Sequence, residues 1–153
     1  MNLKIYTGIL LAFAATATIG AAPAPGVLQI EVGNVRAQTG SVHADICTEA
    51  QFLKDCSRSA DAPAKYGTTT LTLTGLRPGR YAVQVYYDQN GNHKVDRALF
   101  GVPKEGVGFS NDAKIRFAPP KWEEAAFDYD GHSRTIRLKL RYFSGPDGPN
   151  PAK

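Results

Sequence analysis

The sequence is poor in the residues that build metal centres and nucleophilic active sites. It has two cysteines, three histidines and one tryptophan among 153 residues. Two thiols and scattered histidines cannot supply the neighbouring ligands of a structural zinc site. Nucleophilic catalysis needs a base beside the nucleophile and a third group that orients the base. His43, His93 and His132 are far apart, and no nucleophile-elbow motif accompanies a serine, so the sequence predicts a protein that is not an enzyme. A cleft that joined His93 to a carboxylate would favour the opposite view.

Strong charge is also missing, because the formal net charge is only +4. Removal of Lys4 with the N-terminal segment leaves +3, which is too little for a nucleic-acid-binding surface. That excess is enough for loose attraction to anionic surfaces of a cell envelope.

Long apolar runs are limited to the N-terminus, where residues 5–20 are apolar or small and carry no charge. Lys4 precedes this run, and Gly20, Ala21 and Ala22 offer a cleavage zone. The pattern predicts a signal peptide at residues 1–22 and an exported protein, periplasmic or extracellular, with no membrane-spanning segment after signal removal. A retained anchor is the alternative, although the run is short and rich in Ala and Thr for a bilayer-spanning helix.

Cys47 and Cys56 are the two cysteines, and an even count in an exported protein favours a disulfide between them. Their spacing differs from that of a redox Cys-x-x-Cys motif. On the chain-entropy estimate, closing so small a loop stabilises the fold by about 2.5–3 kcal/mol. We expect residues 49–67 to form a loop that this disulfide restrains.

Alternation of apolar and polar residues is the recurring pattern, and sustained helical periodicity is missing. The predicted strands are 28–32, 42–46, 71–73, 81–87, 115–117, 127–129 and 136–142. Such short strands with turn residues between them predict an all-β fold: a single antiparallel β-sandwich of immunoglobulin or transthyretin type over residues 26–143. We expect one or two helical turns at 122–126 and a disordered tail at 144–153. There is no internal repeat and no second domain.

Oxygen-bearing side chains recur at alternate positions in residues 88–96, a pattern that can wrap a hard cation. A calcium ion would take the side-chain oxygens of Asp88, Asn90, Asn92 and Asp96 and the backbone carbonyl of Lys94. The EF-hand pattern is incomplete, because glycine is at the fourth position and leucine at the twelfth. We therefore expect a weak site, with Kd on the order of 10⁻⁴ to 10⁻³ M. The alternative is a plain turn, which Asn90-Gly91 favours.

Residues 88–112 form a long connection without strand or helix periodicity, and connections of this length are either disordered or functional. Its apolar residues argue against disorder, so we expect a compact loop folded onto one end of the sandwich. The residues expected to face a partner are Phe100, Glu105, Phe109, Ser110 and Asn111. These features favour a non-enzymatic binding or structural module of the cell envelope, whose partner is an envelope protein or a glycan.

The last predicted strand carries Arg137, Lys139 and Arg141 on its expected solvent face. With Trp122 and Tyr86 as stacking surfaces, this row suggests an alternative function, recognition of carbohydrate or an anionic glycan. The simpler explanation of the same row is a solvated face that protects an edge strand from aggregation.

Several blocks of the chain carry resemblances to known families. Leu76-Arg-Pro-Gly-Arg-Tyr81 is similar to the strand entry of transthyretin-like and carboxypeptidase-regulatory-like sandwich domains, where it is structural. The other blocks are Asp88-x-Asn-Gly-Asn-x-x-x-Asp96, Phe100-Gly-Val-Pro-x-Glu-Gly-x-Gly-Phe-Ser-Asn111, and Pro119-Pro120 leading to Ala125-Ala-Phe127. Over about residues 27–142 the chain resembles the bacterial exported family catalogued as domain of unknown function number 2141. That resemblance implies an envelope or secreted β-sandwich with no established activity, and the Cys47/Cys56 loop departs from the family pattern.

Overall fold

A computed structural model describes residues 26–98 and 101–149 and shows an all-β chain in two sheets. Within these ranges the strands are β1 (Val27–Val35), β2 (Ser41–Cys47), β3 (Arg58–Pro63), β4 (Gly67–Thr74), β5 (Gly79–Asp88), β6 (Val107–Phe109), β7 (Phe127–Tyr129) and β8 (Arg134–Lys139). A single α-helical turn, α1 (Trp122–Ala125), and two 3₁₀ turns, Glu49–Gln51 and Ser110–Asp112, lie between them. The predicted all-β fold and the predicted helical turn are confirmed.

The predicted signal peptide lies outside the described residues, and no helix within 26–98 or 101–149 is long and apolar enough to cross a membrane. At the other end, Arg36 Nη1 donates to the Ser144 carbonyl at 3.2 Å, and Asn34 Nδ2 lies 3.5 Å from Asp147 Oδ1. The domain limit at residue 143 stays a prediction.

The smaller sheet has the strand order β4-β1-β8. β1 pairs antiparallel with β4 and parallel with β8, so that Ile30 stands beside Leu71 on one side and Ile136 on the other. The expectation of a wholly antiparallel fold is therefore wrong for β1 and β8. Alternation shows which face of a strand is buried but carries no information about the direction of its neighbour.

The larger sheet has the order β3-β2-β5-β6, with β7 paired to the beginning of β5. Val42, Ala44 and Ile46 of β2 stand opposite Tyr87, Val85 and Val83 of β5. These six side chains belong to the same buried cluster as Leu28, Ile30 and Val32 of the smaller sheet. The two sheets therefore share one core, and the immunoglobulin or transthyretin type of the arrangement stays a prediction.

The turn before β5 has the structural role that its sequence indicates. Leu76 is buried in the core, and Tyr81 donates its hydroxyl hydrogen to the Arg77 carbonyl at 3.1 Å. This hydrogen bond holds the chain where it enters the larger sheet.

Cys47 and Cys56 form the predicted disulfide. It links the end of β2 to the approach to β3, around the 3₁₀ turn Glu49–Gln51. The expected loop at 49–67 is only partly a loop, because β3 within it pairs with residues 41–46 of β2. In β3 only Ala60 is buried, so the strand shows almost no hydrophobic alternation in the sequence.

Two expectations for the region beyond β5 are wrong. Residues 115–117 form no strand; the Arg116 N–H donates instead to the Ala118 carbonyl within a bend. The connection 88–112 is not strandless, because β6 pairs with Gln84–Tyr86 along the edge of the larger sheet. A Cβ at Gly108 would lie 2.8 Å from the Lys139 carbonyl oxygen, so only glycine lets β6 approach β8 this closely.

A second, smaller cluster covers part of the outer face of the larger sheet. Its buried members are Phe52, Ala82, Phe109, Ala113 and Ala125, and Ile115 and Trp122 pack against them. Ala82 alternates with the core residue Val83, which places this cluster on the side of β5 that faces away from the main core. The rest of that outer face stays open.

Candidate functional site

The segment 88–96 is organised around the buried carboxylate of Asp88, the last residue of β5. Oδ1 of Asp88 accepts the N–H of Gly91 at 2.8 Å and of Asn92 at 3.1 Å, and Oδ2 accepts the N–H of His93 at 2.8 Å. Gly91 and His93 both have positive φ angles, 75° and 58°. Three backbone donors on one carboxylate close a tight turn, as the plain-turn alternative describes.

The other half of this segment centres on Asp96. Its Oδ2 accepts Nδ2 of Asn90 at 2.7 Å, and its Oδ1 accepts Nδ2 of Asn92 at 2.9 Å. Oδ1 of Asn92 in turn accepts the N–H of Lys94 at 2.9 Å. The structure thus brings together Asn90, Asn92 and Asp96 of the predicted calcium ligands, while the carboxylate of Asp88 is engaged separately by backbone N–H groups. Among the described residues, no group of three or more His, Cys, Asp or Glu side chains is arranged to hold a metal ion.

The side chain of Glu105 is hydrogen-bonded to both ends of this segment. Its side chain is buried, and its two oxygens accept the N–H groups of Gln89 and Asp96, both at 3.1 Å. Burial raises the pKa of the Glu105 carboxyl; the two backbone hydrogen bonds oppose this rise, and the charges of Asp96 and Asp88 add to it. Glu105 therefore joins the two ends of the 88–96 turn and does not face a partner as the sequence suggested.

The Phe109-Ser110-Asn111 block also holds the chain together. Ser110 is buried; its hydroxyl oxygen accepts the Val83 N–H at 2.9 Å, and its hydroxyl hydrogen is donated to the Ala125 carbonyl. Asn111, at φ 61°, donates Nδ2 to the Ala126 carbonyl at 2.9 Å. The buried Phe109 and Ser110 therefore connect β6 to β5 and α1, which corrects their assignment to a partner surface. Phe100 lies outside the described residues.

The basic row on the last strand is divided among different contacts. Arg137 Nε is 2.6 Å from Glu31 Oε2 on β1, so this charge is already paired. β8 ends at Lys139, and Arg141 forms an isolated bridge with Val107. Trp122, one of the two proposed stacking residues, packs its ring edge-on against Phe52 at 5.7 Å. The contacts of Arg137 and Arg141 fit the simpler explanation of a solvated face, and Trp122 is a packed aromatic residue. The glycan function stays a prediction.

A histidine between two carboxylates lies on the outer face of the larger sheet, and no motif in the sequence indicates this arrangement. Nδ1 of His43 is 2.7 Å from Asp61, Nε2 is 3.0 Å from Asp45, and the ring lies 4.9 Å from that of Tyr86. The hydrogen bond to Asp45 is the largest of the effects that together raise the pKa of His43 to about 9. Both ring nitrogens are thus hydrogen-bonded to carboxylates. His43 is therefore a cation at neutral pH and has no free nitrogen to act as a base. The sequence pattern does not indicate this cluster because Asp61 lies on β3, a strand that the alternation of residues does not predict.

An open groove of about 550 Å³ lies beside this histidine. Its floor is formed by Gln84 and Tyr86 of β5 and by Val107 and Phe109 of β6, which are paired across the two strands. Its walls are lined by residues from four short segments of the described chain, 53–55, 95–97, 101–103 and 115–119. The groove therefore occupies the part of the outer face that the second cluster leaves open.

Exposed apolar side chains gather around this groove. The large hydrophobic residues that are most exposed in the described part of the chain are Leu53, Tyr66, Val102, Phe117 and Phe143, and all except Tyr66 line the groove. Phe117 is fully exposed. Single exposed apolar residues are ordinary, but a concentration of them at one concave site is typical of a binding surface.

A family model described as "Uncharacterized protein conserved in bacteria (DUF2141)" matches residues 30–137. The chain belongs to this family. The DUF2141 match runs from β1 into β8, so it includes the turn at 88–96 and the strands that form the floor of the groove. No curated protein and no solved structure matches the chain. The DUF2141 description names no activity.

Proposed function

We propose that this protein is a non-enzymatic binding module of the cell envelope, and that its groove takes up the apolar part of a partner. The observation that carries the proposal is the clustering of Leu53, Val102, Phe117 and Phe143 at the rim of one groove. The disulfide between Cys47 and Cys56 is consistent with an oxidising compartment, periplasmic or extracellular.

The arrangement of the histidines supports the non-enzymatic part of the proposal. His43 has both nitrogens engaged by carboxylates. His93 is 82% exposed and lies 3.9 Å from Asp88, whose carboxylate already accepts three backbone N–H groups. General acid–base catalysis requires a proton-transfer group within reach of a bound substrate, and neither histidine offers that arrangement.

A pull-down from bacterial envelope extract tests the binding role. The double variant Val102→Ser/Phe117→Ser removes two apolar side chains from the rim, and Tyr66→Ser removes an exposed aromatic residue outside the groove as the matched control. We expect the double variant to lose the captured material while the control retains it, and thermal melting shows whether each variant is folded. Equal capture by all three proteins would show that the groove is not the binding surface.

We also propose that residues 88–96 bind calcium weakly and so stiffen the wall of the groove that begins at Val95. The supporting observation is that the amides of Asn90 and Asn92 both face the Asp96 carboxylate, at 2.7 and 2.9 Å. Rotating each amide by half a turn would direct two carbonyl oxygens toward that carboxylate, and a cation between them would make such an arrangement favourable. The cation would have to outweigh the loss of the hydrogen bonds that these oxygens accept from the N–H groups of Asn92 and Lys94, which is a further reason to expect weak binding.

Thermal melting over millimolar calcium tests this second proposal. With a Kd near 10⁻³ M, calcium at about ten times that concentration should stabilise the fold by about 1.4 kcal/mol. Asp96→Asn is the suitable control, because Asp88 closes the turn through three backbone hydrogen bonds and cannot be changed without disturbing the fold. A wild-type melting temperature that is indifferent to calcium would remove the metal from the proposal.

A further inference from the structure

One wall of the groove combines a fully exposed aromatic side chain with positive charge. Phe117 lies in the middle of residues 114–121, here called the basic loop, in which Lys114, Arg116 and Lys121 are also exposed. No acidic residue occurs in the sequence between Asp112 and Glu123. The loop therefore presents three cations around one apolar ring.

The nearest acidic residue before the loop is occupied by structural contacts. Oδ1 of Asp112 accepts the backbone N–H of Lys139 at 2.7 Å, and its carbonyl oxygen lies 3.4 Å from Nη2 of Arg141. These contacts bring the charged side chain of Arg141 to the same region. Arg141 thus adds positive charge beside the start of the basic loop, whereas the exposed Glu123 and Glu124 lie just beyond its end.

Apolar side chains from separate parts of the chain extend the surface around Phe117. Val102 and Phe143 line the same groove as Phe117, and both are exposed. The free edge of β6 does not offer a place for an added peptide strand, because Val107 already exchanges two backbone hydrogen bonds with Arg141, at 3.1 and 2.8 Å. The surface therefore best fits a partner that does not bind as an added β-strand and that offers apolar groups and negative charge.

We propose that the basic loop docks on an anionic lipid surface, with Phe117 inserted among the acyl chains and Lys114, Arg116 and Lys121 at the level of the phosphates. This inference rests on the proposed binding role of the groove and names its occupant. Aromatic residues suit the boundary between headgroups and acyl chains, and basic residues near an anionic leaflet strengthen binding about fivefold each. Three such cations give a preference for anionic over neutral vesicles of about a hundredfold.

Co-sedimentation with vesicles tests the proposal, using the full chain as the cell processes it. The probes are vesicles of phosphatidylcholine alone and vesicles in which about a third of the lipid is phosphatidylglycerol, at an ionic strength near 0.15 M, where the Debye length is about 8 Å. We expect clear binding to the anionic vesicles and little to the neutral ones. Phe117→Ser should weaken anionic binding roughly tenfold, since burial of one aromatic ring is lost.

Charge variants separate a local site from general attraction. The triple variant Lys114→Gln/Arg116→Gln/Lys121→Gln should lose most of the preference for anionic vesicles. The control Lys65→Gln/Arg77→Gln/Arg80→Gln removes the same charge from exposed residues outside the groove and should keep that preference. Equal losses in the two triple variants would overturn the proposal in favour of nonspecific attraction by net charge.

Insertion of the ring has a direct optical readout. Phe117→Trp adds an exposed tryptophan to a chain whose one natural tryptophan, Trp122, packs against Phe52. Its emission should shift to the blue on addition of anionic vesicles and remain unchanged with neutral ones. If wild type binds neither vesicle while Phe117→Ser still loses a protein captured from envelope extract, the lipid proposal fails and the binding role of the groove survives with a protein occupant.

Discussion

His43 is a cation between two carboxylates, so raising the pH should weaken the fold. The hydrogen bond to Asp45 is the largest contribution, and with Asp61 it raises the pKa of His43 from 6.5 to about 9, against the opposing effect of burial. The folded state therefore holds this proton more tightly than the unfolded state does. The stabilisation is fully present below pH 6.5 and is lost as the pH rises through 9.

The size of the effect follows from the same two carboxylates. A shift of the pKa from 6.5 to about 9 corresponds to about 3 kcal/mol between the protonated and neutral forms. The Asp61 side chain is 56% exposed, so water screens its share of the attraction. We therefore expect the fold to lose about 2 kcal/mol between about pH 6 and pH 9.5 through His43 alone.

Urea unfolding of wild type and His43→Gln over that pH range isolates this contribution, because all other titrating groups are common to both proteins. The difference in unfolding free energy should be largest near pH 6 and should nearly vanish near pH 9.5. Burial raises the pKa of the neighbouring Tyr86, which keeps its ionisation above this range. The imidazole signals of His43 in NMR give a second measurement. A constant difference across the pH range, or a His43 midpoint near 6.5, would refute the reasoning.

Three further changes test other parts of the fold by urea unfolding. Glu105→Ala leaves two backbone N–H groups without their acceptor and should cost about 2–4 kcal/mol, whereas Glu105→Gln, which keeps one acceptor oxygen, should cost less; equal losses would contradict the proposed hydrogen bonds. Cys47→Ser/Cys56→Ser should lower the free energy of unfolding by about 2.5–3 kcal/mol. Reduction of the wild-type protein should lower it by a similar amount, because the same bond is broken. Gly108→Ala places a Cβ 2.8 Å from a backbone oxygen of β8 and should cost about 1–3 kcal/mol. Gly33→Ala, with its nearest neighbour at 3.5 Å, is the control, and similar losses in both would exclude the steric explanation.

The strands that send alternate side chains into the main core could be predicted from the sequence. β1, β2, β4, β5 and β8 each bury every second residue over part of their length, and this periodicity survives in the sequence. β3 and β6 could not be predicted in this way. β3 buries little beyond Ala60, and β6 has three residues whose position depends on the close approach of Gly108 to β8.

The turn at 88–96 could also be predicted from the sequence, whereas the groove could not. The turn is local, since Asp88 receives hydrogen bonds from residues three to five positions later, and the Asx pattern in the sequence describes it. The rim of the groove is formed by Leu53, Val102, Phe117 and Phe143, which are distant in sequence and come together only in the folded chain. Sequence periodicity identifies residues that face solvent but cannot show that four of them share one concave site.

The parallel pairing of β1 and β8 affects how the domain bears tension. Six residue pairs join these strands, from Leu28 with Arg134 to Gly33 with Lys139, across 106 positions of sequence. A pull on the start of β1 and the end of β8 would slide the two strands along each other, so the hydrogen bonds between them would have to break together rather than one after another. A domain stretched by its two ends should therefore yield abruptly and at high force.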